Sequence, residues 1–139
     1  MKVEHSFFTI PSFELVCPND YIIDGRNILR HGGAIVFNAA EHGSIAKDII
    51  FYGPYSTISP GVHLFGFNGE LDGELKVNFA YQEGAAVLKE LAIENFLDPV
   101  CLAVTKILTE FEVRGYRTPS LNSLRLESIS VETIRFSAA

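Results

Sequence analysis

The residues whose types could do chemistry are few and scattered. Four histidines, His5, His31, His42 and His63, stand far apart, with neither the i, i+4 helical spacing nor the close Cys/His pairing that a metal site requires. Ser, Cys and Asp occur, but no Gly-x-Ser-x-Gly elbow presents a nucleophile and no glycine-rich loop with a lysine cradles a phosphate. The Gly32-Gly33 pair reads as a turn into the apolar stretch 34–37, because no helix start follows it to aim backbone donors at an anion. His63 neighbours Phe65 on one strand face, with nothing beside it in sequence to make it a general base. The chain is therefore expected to break no bonds.

What it does carry is a set of faces and forks. Tyr52, Tyr81 and Tyr116 offer aromatic faces for stacking on C–H groups, while Asn78, Glu112, Arg114 and Arg117 offer planar forks that match pairs of hydroxyls. Each is equally at home on a solvated surface or in a core, so the cluster rather than any member is the candidate site. The absence of Trp argues against a flat polysaccharide-binding face.

The elements that must position these residues read as strands. Runs rich in Val, Ile, Phe and Tyr recur at close intervals between Gly, Pro, Asn and Asp clusters, the pattern of an antiparallel sandwich or barrel. In residues 74–81, Leu75, Val77, Phe79 and Tyr81 alternate with Glu74, Lys76, Asn78 and Ala80, a period of two that separates an apolar face from a largely polar one. Asn68-Gly69 and Asp72-Gly73 are turn dipeptides, so 62–67 and 75–81 are expected to pair as a hairpin or to neighbour one another in a meander. Glu83-Gly84 turns the chain into a further strand at 86–93, although 85–96 also holds strong helix formers and a helix there is the main rival. Downstream, 100–107 and 111–116 read as another pair, with Phe111 and Val113 opposite in face to Glu110, Glu112 and Arg114. In 124–134 the apolar phase changes, since Leu124 and Leu126 have one parity and Ile129 and Val131 the other, which predicts a β-bulge near Glu127-Ser128. Shorter strands are expected at 22–23, 28–29, 34–37 and 49–52, giving about ten segments, a number suited to two packed sheets.

With 139 residues and 47% hydrophobic content, the chain is long enough for one domain, residues 1–139, with a core that needs no metal or disulfide. Its 17 acidic residues outnumber 11 basic ones, and the basic residues form no run, which argues against nucleic acid and against an anionic membrane surface. No apolar run approaches the ~20 residues of a membrane span. Glu4 and His5 interrupt the place where a secretory signal would be apolar, so a cytoplasmic location is expected, alone or as a module of a larger protein. Cys17 and Cys101, flanked by apolar residues, read as two buried free thiols, with one disulfide left open.

At 51–63, Phe-Tyr-Gly-Pro-Tyr-Ser-Thr-Ile-Ser-Pro-Gly-Val-His, the sequence resembles the "GPY, spacer, PG, strand" signature of a β-sandwich domain found beside bacterial glycosyltransferases and other glycan-handling proteins. Residues 73–81, Val87-Leu88-Lys89-Glu90 and Glu110-Phe111-Glu112-Val113-Arg114 stand where that family has its later strands, so the resemblance spans about 33–131. It implies an all-β fold, a galactose-binding-like jelly-roll β-sandwich of two antiparallel sheets. It also implies a non-catalytic carbohydrate-binding or glycan-associated module without cofactor, acting beside a glycosyltransferase or other enzyme domain. The late strand departs from the family: Glu112 holds the place of an arginine, and Arg114 follows on the same face ~7 Å along the strand. Related jelly rolls often hold a structural Ca²⁺ between an early loop, here Asn19, Asp20 and Asp24, and the last strand near Glu127, which leaves such a site open.

Pro54 and Pro60 cannot donate to a ladder, and Gly53 and Gly61 release the backbone, so 54–60 should cross between sheets with Tyr55 packed beneath as a core or corner tyrosine. Two other readings differ in class. Phe7, Phe8 and Phe13 could form a subunit interface in a structural or homo-oligomerising domain. An enzyme on a cupin-like jelly roll would need converging His and carboxylate ligands, for which these histidines make a poor case.

Overall fold

The structure is a computed structural model and describes residues 2–9, 14–15, 22–23, 26–27, 30–31, 34–39, 49–82 and 84–135. Among them every regular element is a strand, and all pairings are antiparallel. Sheet I runs in the order β12 (Val100–Val104), β9 (Gly61–Asp72), β14 (Ser123–Arg135), β6 (Ala34–Asn38) and β5 (Arg30–His31), with β1 (Lys2–Thr9) on the second half of β14. Sheet II runs β11 (Ala86–Ile93), β10 (Leu75–Tyr81), β13 (Leu108–Arg117), β7 (Ile49–Tyr52) and β2 (Glu14–Leu15), with β8 (Pro54–Ile58) also beside β13. β3 (Ile22–Ile23) and β4 (Arg26–Asn27) pair separately.

The expected strand content is borne out among the described residues, including 86–93, where helix formers take strand geometry because β10 supplies a full ladder, although the strand expected at 100–107 ends at Val104. Two expected pairings are not. Residues 62–67 and 75–81 lie in different sheets, as do 100–104 and 111–116, and they meet face to face across the core instead of edge to edge. The reason is burial: alternate residues of each strand are apolar, and the rings of Phe65 on β9 and Phe79 on β10 come together at 5.1 Å. Asp72-Gly73 carries the chain across, with Gly73 at φ +97° against the backbone of Ser120 to Asn122.

Asn68-Gly69, expected to be a turn, lies inside β9 opposite the bulge of β14. Leu126 pairs with Gly69 and Ser128 with Asn68, leaving Glu127 as the extra residue foreseen from the phase change. Gly69 sits at φ +144°, and a Cβ there would fall 1.9 Å from the carbonyl oxygen of Arg125. Bulge and glycine are therefore two halves of one accommodation.

The core between the sheets is aromatic. Phe65 also stacks on Phe111 at 5.7 Å and meets Phe8 of β1 at 6.2 Å, while Phe67 stacks on Phe96 at 5.6 Å. Each such pair contributes ~0.5–1.5 kcal/mol beyond the area it buries. Cys101 departs from expectation, because its position on β12 alternates with buried Val100 and Leu102 and so faces solvent as a free thiol. Cys17, Phe13, residues 28–29, Gly32-Gly33, and Asn19, Asp20 and Asp24 lie outside the described residues. No helix of the described residues is long and apolar enough to cross a membrane.

Candidate functional site: the outer face of sheet II

Alternation on β10 and β13 sends Val77, Phe79, Phe111 and Val113 into the core, and sends Lys76, Asn78, Glu112, Arg114 and Tyr116 to the outer face. Strand register arranges that face in rows. Glu90, Asn78 and Arg114 form one row across β11, β10 and β13; Val87, Ala80 and Glu112 form the next; Ala92, Lys76 and Tyr116 lie on the other side. Four of the seven expected binding residues, Asn78, Glu112, Arg114 and Tyr116, thus share one surface.

Bulges around Phe111, with Glu110 at φ +52°, break simple alternation on β13, and Phe111, Glu112 and Val113 are all buried. Glu112 was expected on a polar face, yet it is 0% exposed. Its Oε1 accepts a hydrogen bond from Arg114 Nε, forming an ion pair in which the Arg114 side chain is 22% exposed. Burial alone would lower the affinity of Arg114 for its proton. Hydrogen bonds to Tyr116 and Glu112 and their charges outweigh it, holding the guanidinium above its ordinary value. The same guanidinium rests against Gly84 in the β10–β11 turn, where a Cβ would fall 1.8 Å from its terminal nitrogen. Asn78 donates from Nδ2 to Glu90 Oε2 at 3.0 Å, and Lys76 Nζ stands 3.9 Å from Glu90 and 4.8 Å from the centre of the Tyr116 ring.

Two buried acceptors are left over. Among the described residues neither Glu112 Oε2 nor Asn78 Oδ1 has a hydrogen-bond partner, and Ser56 Oγ on β8 is a third buried polar atom without one. Turning the Asn78 amide over would set its oxygen against the Glu90 carboxylate, so the orientation that leaves Oδ1 unmet is the chemically required one. A buried orphan of this kind costs ~1–3 kcal/mol.

Tyr52 joins the site at its rim through Tyr55, the two rings meeting edge to face at 6.1 Å. Tyr55 corrects the expectation of a core or corner tyrosine. The Gly53 carbonyl takes the Val113 N–H at 2.7 Å, the backbone then turns through Tyr55 at φ +59°, and the side chain emerges 40% exposed beside Glu112. A non-glycine residue in that region stores ~1–3 kcal/mol of strain. Partial burial, then the hydrogen bond to Glu112 and its negative charge, push the Tyr55 phenol up to about 12.

Tyr81 and Arg117 do not join them. Tyr81 has the inward parity of β10 and packs on the core with Lys106 Nζ 5.8 Å from its ring centre, and Arg117 lies 5.5 Å over the ring of Phe37 in sheet I. Sequence reasoning missed Lys76 and Glu90. Lys76 was legible as a member of the polar face of 74–81; Glu90 was not, because a bulge opposite Phe79 and Ala80 shifts the parity of β11.

Clefts of about 270 Å³ beside Lys89, Glu94, Asp98 and Cys101, and about 150 Å³ over Gly66 beside Phe7 and Leu64, lie elsewhere. Among the described residues no group of three or more His, Cys, Asp or Glu could hold a metal ion. His63 is committed to structure: Nε2–H donates to the Ser59 carbonyl at 2.7 Å, so Nδ1 accepts from the Thr133 hydroxyl at 2.9 Å. Compared with known proteins, the chain matches no family model, no curated protein and no solved structure.

Proposed function

We propose that the outer face of sheet II is the carbohydrate-binding surface of a non-catalytic module with a jelly-roll, galactose-binding-like sandwich, working beside a glycan-handling enzyme. The observation that carries this reading is the pair of buried acceptors without donors, Asn78 Oδ1 and Glu112 Oε2, set among tyrosines and a guanidinium on one face. Sugars bring what such a face lacks: hydroxyl donors for the acceptors and C–H groups for Tyr116 and the Tyr52–Tyr55 pair. The test is thermal unfolding across a sugar panel. A ligand that prefers the folded state stabilises it by about 2.7 kcal/mol at a hundred times its Kd. Tyr116→Ala is expected to abolish that stabilisation while moving Tm of the free protein little, whereas Arg114→Ala, which strands the buried Glu112 carboxylate, is expected to lower Tm as well; loss of folding in Tyr116→Ala would make that residue structural.

A second reading rests on the outer face of sheet I. Phe7 and Val3 of β1 are 64% and 49% exposed. They share that face with half-buried Val62, Leu64 and Ile134 on β9 and β14, a surface suited to a second copy of the chain. Light scattering on the eluting protein tests it: a dimer that Phe7→Ser dissociates supports this reading, and a monomer at high concentration removes it.

A further inference from the structure

We infer that the ligand of the sheet II face is an uncharged sugar, and that uronic acids and amino sugars are discriminated against; the inference rests on the carbohydrate reading above. The charges of the face already cancel. Glu112 is paired with Arg114, and Glu90 is approached by Lys76, so neither sign is left in excess to draw an ionised ligand.

Its hydrogen-bonding capacity does not cancel. The Arg114 guanidinium serves Glu112 and Tyr116, the Tyr55 hydroxyl serves Glu112, the Asn78 amide nitrogen serves Glu90, and Lys76 is held between Glu90 and the Tyr116 ring. What remains is demand for donors, at Asn78 Oδ1 on a side chain 5% exposed and at Glu112 Oε2 on one that is 0% exposed. A carboxylate on the ligand would bring further acceptors and meet Glu112 and Glu90 as like charges. An ammonium would bring donors at the cost of its hydration, facing Arg114 and Lys76. A neutral hydroxyl supplies a donor without either penalty.

The two acceptors stand on neighbouring strands, since Asn78 is opposite Arg114 and Glu112 lies two residues along β13. That diagonal places their Cα atoms ~7–8 Å apart, so hydroxyls of one ring can address both. Access runs past Tyr55, the exposed side chain beside Glu112, which gives up its own hydrogen bond to that carboxylate to admit a sugar hydroxyl.

The experiment is calorimetric titration of the full chain with galactose, glucose and mannose, each against its uronic acid and its free 2-amino sugar. At least one neutral hexose is expected to bind at least tenfold more tightly than both of its charged counterparts. An equal or stronger response to the uronic acid or amino sugar overturns the inference and leaves the carbohydrate reading standing; silence from all of them overturns both. Glu112→Gln, which replaces the orphan acceptor with an amide of the same shape, is expected to weaken binding of the neutral hexose at least tenfold. Unchanged affinity in that variant, with the fold intact by its ultraviolet spectrum, also overturns the inference.

Discussion

Strands β10 and β13 present two faces made under opposite rules. On the inner face Phe79 and Phe111 sit 6.3 Å apart and both touch Phe65, and Leu75, Val77 and Val113 beside them are apolar and buried. On the outer face, one residue away along each strand, Asn78 and Glu112 are almost as deeply buried and yet keep an unmet acceptor apiece. The difference separates stability from readiness. An inner face that supplies most of the folding free energy lets the outer one hold orphaned polar atoms and a left-handed tyrosine whose costs would be severe in a smaller core.

The sharpest way to break this comparison is to remove a ring. Phe111→Ala should cost ~3–5 kcal/mol in urea unfolding, because it takes away a stacked partner of both Phe65 and Phe79; a loss below 1 kcal/mol would mean that the inner face does not carry the fold. Gly115→Ala tests the same strand from the crowded side. A Cβ there would fall 2.1 Å from the fully buried Phe51 ring, so a loss of ~1–3 kcal/mol is expected, with the larger part if that ring cannot shift.

The outer face should answer differently. Asn78→Leu removes an orphaned oxygen together with one hydrogen bond to exposed Glu90, and stability should change by less than ~1 kcal/mol in either direction. A large loss would show the amide to be structural.

The smallest effect is visible only in alkali. Folding raises the Tyr55 phenol from 10.0 to about 12, so the folded state favours its neutral form. That contribution is complete below the unfolded-state value and is lost as pH rises through the folded one. Tyr55→Phe should therefore match wild type in pH dependence at neutrality, and the stability gap between the two proteins should drift only between pH 10 and 12. A gap that drifts below pH 9 would place the titrating group elsewhere.

How far the sequence foretold this depends on whether a feature is local. The alternation of Leu75, Val77 and Phe79, and the extra residue at Glu127, are written in the spacing of side chains and appear where the spacing put them. Strand partners are not local. Nothing in 62–67 or 75–81 distinguishes a neighbour in one sheet from a facing strand in the other, and the turn dipeptide Asn68-Gly69 marked a bulge partner. The candidate site was half legible for the same reason. Asn78, Glu112, Arg114 and Tyr116 share a face by parity, and Tyr116 and Arg114 even share a bond. Tyr81 and Arg117 carried the right chemistry on the wrong parity, and the burial of Glu112 followed from bulges and from Tyr55, which no count along β13 reveals.

β14 pairs with β9 along most of its length, with β6 through Ser123–Leu126 and with β1 through Ser128–Arg135, so that Lys2 meets Arg135. A ribosome therefore releases β1, β6 and β9 long before their common partner exists. Until translation has reached that strand, the β9–β12 and β6–β5 halves of sheet I cannot be joined, and the edges that β14 will cover stay open.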